Sequence, residues 1–142
     1  MDNLQYSVGV DIAKDKFDCC FSQTNSKRII SIKSTKTFSN CPKGFEAFLD
    51  WVNTHKTQGA STVVVMEATG VYYESLAYFL HKNSELDISV LLPNKVKYYF
   101  KSLNVKTKTD KVDAQMLSQL GLERRLNNWK PISYKLRTIK QL

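Results

Sequence analysis

Apolar and polar positions alternate from Tyr6 to Ile12, with Val8, Val10 and Ile12 on one side and Gly9 and Asp11 on the other, which predicts a strand. Lys14-Asp15-Lys16 is a polar turn, and Phe17 to Ser22 follows too closely for anything but a hairpin partner. Arg28 to Phe38 is a third β-rich run with one wet face. Asn40 offers an N-cap and Pro42 a first-turn residue for a helix to about Lys56, striped by Phe45, Phe48, Leu49 and Val52. After Gln58-Gly59-Ala60, the run Ser61 to Met66 is a short β-branched strand apolar on both faces, as buried parallel strands are. Thr69-Gly70 opens a helix to about Lys82 with Tyr73, Leu76, Ala77 and Leu80 inward. Ile88 to Leu92 is a further strand, Pro93 starts a helix to about Leu103, and Asp110 starts a last helix to about Arg124.

This order joins an antiparallel meander to two right-handed parallel crossovers. It matches the ribonuclease H-like arrangement, an α/β fold with a mixed five-stranded sheet and flanking helices. A generic doubly wound α/β domain is the alternative. The length of 142 residues suits one domain, and 42% hydrophobic with 24% charged residues excludes a disordered tail. Residues 1–126 read as that domain. Residues 127–131 (NNWKP) look like a boundary, and Ile132, Leu136 and Ile139 begin a helical stripe that stops at Leu142. Residues 127–142 thus read as a linker and the start of a truncated helix.

Charge changes the picture because it is uneven. The net charge is +8, yet residues 1–71 hold 8 Lys+Arg against 7 Asp+Glu, whereas residues 72–142 hold 13 against 6. A basic half points to a phosphate-bearing partner, with a solvated lysine face as the plain alternative. Cys19, Cys20 and Cys41 form no CxxC pair and no zinc-spaced cluster, which predicts reduced thiols in a cytoplasmic protein. No leader pattern and no membrane-length apolar run is present, so no membrane partner is expected.

The acids are few enough to weigh singly. Asp11 interrupts the apolar strand VGVDI, where desolvating a carboxylate is costly. Glu67 ends the strand VVVME, and the two strands should lie side by side, bringing both carboxylates to the carboxyl edge where open α/β sheets place their sites. Asp110 and Asp113 stand three apart, so on one helix they share a face. Singly, Asp110 is an N-cap, Glu67 a strand-end acid and Asp113 a partner for a lysine. Jointly, four converging acids repel one another unless cations lie between them. An all-oxygen set suits Mg²⁺ or Mn²⁺, and two such ions about 3.5–4 Å apart can clamp a phosphoryl transfer.

The blocks VGVDIAKDKFD, MEATGVY and KTKTDKVDAQML resemble the signatures of the DEDD transposases of insertion sequences and the related Piv-type DNA invertases, in order over roughly residues 6–125. The resemblance implies a RuvC-like catalytic domain whose tetrad is Asp11, Glu67, Asp110 and Asp113. It also implies divalent metal, strand exchange on double-stranded DNA, a structured guide RNA in guided members, and a homo-oligomer in the full-length form. Family members carry a further C-terminal domain with a serine nucleophile, so these residues are expected to bind metal and nucleic acid without completing recombination alone.

Lys95, Lys97, Lys101, Lys106, Lys108 and Lys111 surround Asp110 and are expected to hold a phosphate backbone; Arg124, Arg125, Lys130, Lys135, Arg137 and Lys140 form a second basic set, a nucleic-acid contact or a plain solvated helix. Among Tyr98, Tyr99 and Phe100, Phe100 and one tyrosine are expected in the core and the remainder free to stack on bases. The Thr69-Gly70 turn either turns backbone amides toward an anion or serves as a tight connection only. His55 and His81 read as helix C-terminal caps. The rival functions are a structure-selective ribonuclease H-like nuclease and a non-enzymatic nucleic-acid or assembly module. An actin-like kinase is excluded because Ile12-Ala13-Lys14 replaces its Gly-rich phosphate turn.

Overall fold

A computed structural model describes residues 5–102, 113–124 and 126–131. The strands are β1 (Gln5–Ile12), β2 (Lys16–Thr24), β3 (Ile30–Ser39), β4 (Ser61–Glu67) and β5 (Asp87–Leu91). The helices are α1 (Pro42–His55), α2 (Glu74–Asn83), α3 (Pro93–Ser102) and α4 (Ala114–Glu123). They build one five-stranded sheet of order β3-β2-β1-β4-β5, with β1, β2 and β3 antiparallel and β1, β4 and β5 parallel. The meander and the crossovers are those expected from the sequence, and the fold is ribonuclease H-like.

Alternation along β1 assigns the two faces. Val8 and Val10 join Phe17, Phe21, Phe38, Val64 and Met66 beneath α1 and α2, where Phe48, Val52, Leu76 and Leu80 are buried. On the other face Val65 packs with Leu91, Val96 and Phe100 of α3, and with Leu117 and Leu120 of α4. β4 is therefore apolar on both sides because helices cover both.

α4 lies unusually close to β1. A Cβ on Gly9 would collide with the Ala114 carbonyl oxygen and the Ser118 nitrogen, so only glycine admits the helix there. Ser22 and Ser118 share a hydrogen bond of 2.9 Å across the same contact. Ala114 sits over Gly9 and Gly121 over Ser7, so α4 runs antiparallel to β1 with its N-terminus at the carboxyl edge of the sheet.

Three local expectations are corrected. Cys41, not Asn40, is the N-cap of α1, and the Asn40 side chain instead donates to the carbonyls of Ala13 (2.9 Å) and Tyr72 (3.2 Å). α2 begins at Glu74 rather than at Thr69, because Gly70 adopts φ +65 and turns the chain first. α4 begins at Ala114 with Asp113 as its N-cap in extended conformation, so Asp113 is outside the helix and the argument from a shared helical face does not hold for it. Residues 126–131 stay against the domain. The Trp129 N–H donates to the Ile88 carbonyl (2.6 Å), and its ring meets Tyr78 edge-on at 5.0 Å. Among the described residues no helix is long and apolar enough to cross a membrane.

Candidate metal and nucleic-acid site

The site forms where the two central parallel strands end. Val10 pairs with Met66, so Asp11 and Glu67 finish neighbouring strands at one level, and both are half-buried. They feel each other electrostatically. The Glu67 carboxyl titrates above the ordinary glutamate range, first because burial disfavours its charge and then because Asp11 adds a second negative charge. The Lys97 ammonium, reaching from α3, opposes that rise.

α4 brings Asp113 to the same edge. Its carboxylate accepts the Met116 N–H at 2.9 Å, which fixes it at the helix N-terminus where a negative charge is favoured. Asp11 and Asp113 line one groove of about 410 Å³, together with Asp18, Cys19, Cys20, Thr35, Ala114 and Gln115.

Asp18 is the acid that sequence reasoning missed as a member of this site. It stands directly opposite Asp11 in the β1–β2 register and accepts the Thr37 hydroxyl at 2.6 Å. The signal was present: a hairpin turning at Lys14-Asp15 places positions 11 and 18 as cross-strand neighbours on one face.

Asp110 lies outside the described residues, as do Lys106, Lys108, Lys111 and Arg125. Among the described residues no three His, Cys, Asp or Glu side chains gather tightly enough to close a metal shell. The donor chemistry nevertheless fits a hard cation. The convergent donors are carboxylate oxygens, and the smaller part of the Glu67 rise, which Asp11 adds to that of burial, is a repulsion that a bound cation would relieve.

The basic residues divide between two places. Lys95, Lys97 and Lys101 are exposed on α3, with Val96 and Phe100 turned inward. Tyr98 is 69% exposed between Lys97 and Lys101, whereas Tyr99 is half-buried with the Arg124 guanidinium 6.0 Å from its ring centre. Arg124 follows α4, and so sits at the amino edge of the sheet, away from the acids, where it helps to line a separate groove with Gln5, Thr24 and Ser61. His55 Nδ1 lies 2.8 Å from the Trp51 carbonyl in the last turn of α1, a local helix-end contact.

Comparison with known proteins gives this geometry a lineage. The chain is 34% identical over 126 residues to the pilin gene-inverting proteins of Moraxella bovis and Moraxella lacunata. The match covers 89% of this chain and 37% of each relative, so the chain spans little more than a third of their length. Among solved structures it resembles T. thermophilus RuvC in complex with Holliday junction substrate (TM-score 0.55, 8% identity, 80% of this chain and 90% of that one). It also resembles the fowlpox virus Holliday junction resolvase (TM-score 0.54, 15% identity, 83% and 98%), and at these identities the likeness shows the fold. A family model described as transposase, DEDD_Tnp_IS110, matches residues 8–142, from the strand that carries Asp11 through the segment that carries Asp110 and Asp113. The chain therefore belongs to the IS110-type DEDD transposase family.

Proposed function

We propose that residues 1–126 form the metal-dependent catalytic domain of a DNA transposase or site-specific recombinase that acts on double-stranded DNA, and that residues 127–142 lead towards a further domain. The observation that carries this reading is the pairing of Asp11 and Glu67 at adjacent strand ends, close enough for one charge to perturb the other. Family membership and the names of the gene-inverting relatives support it.

In this reading Asp11, Glu67, Asp110 and Asp113 hold two Mg²⁺ or Mn²⁺ ions. When bound, such ions neutralise a phosphodiester and activate the attacking oxygen. The chain's own groups do the rest. The central sheet sets the two strand-end carboxylates at one level on neighbouring strands. Asp113 is oriented by the Met116 N–H. Lys95, Lys97 and Lys101, with Lys106, Lys108 and Lys111, hold the phosphate backbone beside the acids, and Arg124 and Arg125 contact it further away. Strand joining, a structured guide RNA, a homo-oligomer and a cytoplasmic location belong to the longer protein in this proposal.

The test is Mn²⁺ titration followed by heat denaturation of the wild type and Asp113→Asn. Asparagine caps helices as well as aspartate, so the variant keeps the cap and loses the charge. A native-state site stabilises the wild type by about 2.7 kcal/mol at a hundredfold excess over Kd, and the variant loses that gain. Equal behaviour of the two proteins removes the tetrad. Divalent-dependent cleavage without joining by the longer protein selects the nuclease reading instead.

A further inference from the structure

Three large hydrophobic side chains exposed to water, Val71, Tyr72 and Leu92, stand at the acidic edge. Among the described residues, the exposed ones are Ile29 and Ile32 near the start of β3, and Val71, Tyr72, Leu92 and Tyr98. The last four all belong to segments that leave the carboxyl ends of β4 and β5. Val71 and Tyr72 lie in the connection from Glu67 to α2. Leu92 follows β5, whose Leu91 carbonyl receives the Ala68 N–H at 2.8 Å. Tyr72 is tied through Asn40 to the β1–β2 turn, and Leu92 stands on the β5 side, so apolar groups bracket Glu67.

The backbone holds this exposure in place. The Glu74 N–H donates to the Val71 carbonyl (3.1 Å), and Asn40 donates to the Tyr72 carbonyl (3.2 Å). Exposed apolar groups rimmed by polar ones mark contact surfaces.

We propose that Val71, Tyr72 and Leu92 form a seat for unstacked bases of the DNA strand beside the reacting phosphate, so that the preferred substrate is DNA with unpaired bases at that point. This rests on the DNA-processing reading above and adds a substrate class to it. The surroundings select the occupant. Lys97 and Lys101 are exposed one helical turn apart on α3, the helix that follows Leu92, and attract phosphates. The apolar surfaces that a nucleic acid offers are the faces of its bases, and these are free only where a base has left the stack. Aliphatic and aromatic side chains are what proteins insert at such steps, and a tyrosine ring accepts any base face. A fully paired duplex meets this rim only through its phosphates.

The experiment is fluorescence anisotropy in Mg²⁺ buffer with two labelled duplexes of equal length, one fully paired and one with a central two-nucleotide bulge. The 142-residue wild type binds the bulged duplex at least about fivefold more tightly. The triple variant Val71→Ser, Tyr72→Ser, Leu92→Ser loses that preference, and its affinity for the paired duplex stays within about twofold, because phosphate contacts supply it. With 2-aminopurine as the bulged base, its fluorescence falls on binding to the wild type and falls less with Tyr72→Leu. Equal affinity of the wild type for both duplexes, or a preference retained by the triple variant, overturns the seat. If the Mn²⁺ response of the metal site persists in that case, the catalytic reading stands without it. Failure to bind either duplex overturns both.

Discussion

Glu67 holds its proton more tightly in the folded chain than in the unfolded one, through burial and then through the charge of Asp11. The folded state therefore binds more protons, and stability falls as pH rises from the ordinary glutamate range through the raised value, with the loss complete above it. Glu67→Gln should flatten this dependence in metal-free protein, raise the melting temperature at neutral pH and abolish the Mn²⁺ response; melting curves across pH with and without Mn²⁺ read all three. Asn40 poses a different question at the same scale. Its amide ties the β1–β2 turn to the segment after Glu67, a role that calls for a donor and not for a helix cap. Asn40→Ala should cost about 1 kcal/mol in denaturant unfolding, and Asn40→Asp should not restore it although aspartate caps helices equally well. Rescue by aspartate would return Asn40 to the capping role its sequence position suggested.

The contact of α4 with β1 sets where Asp113 stands, because the cap residue moves with its helix. Gly9→Ala puts a methyl group into the Ala114 carbonyl and forces α4 outward. Overpacking of this kind should cost about 1–3 kcal/mol, and the displaced Asp113 should weaken the Mn²⁺ response as well. Thermal denaturation with and without Mn²⁺ separates the two effects. A loss of stability with an unchanged metal response would show that α4 does not position the site. Local backbone conformation shifted the helix limits from those expected. Apolar periodicity places the body of a helix well, but Gly70 in left-handed conformation delays α2 to Glu74, and the extended backbone of Asp113 makes it the cap rather than a member of α4.

Among the described residues, the candidate site acids and Arg124 stand at opposite edges of the sheet. Asp11, Glu67 and Asp113 lie at the carboxyl edge, where Lys97 acts on Glu67, while Arg124 is at the amino edge. DNA affinity should fall steeply with salt, and Lys97→Ala with Lys101→Ala should reduce the log–log slope by about two, roughly one per lost phosphate contact. Anisotropy titrations across a salt series measure this. An unchanged slope would place the DNA elsewhere on the surface.

The order of elements, the fold class and the placement of Asp11 and Glu67 at neighbouring strand ends were legible in the sequence alone. Hydrophobic periodicity is a local signal, and a carboxylate inside an apolar strand is conspicuous without any tertiary information. Only the tertiary structure brought Asp18 into one groove with Asp11 and Asp113, turned Asp113 from a helical residue into a cap, and placed Arg124 at the opposite edge of the sheet. Each of these depends on strand register or on the direction in which α4 crosses β1. Such relations are decided by which residues pack against which over long separations, as Gly9 under Ala114 shows, and they leave no period in the sequence to read.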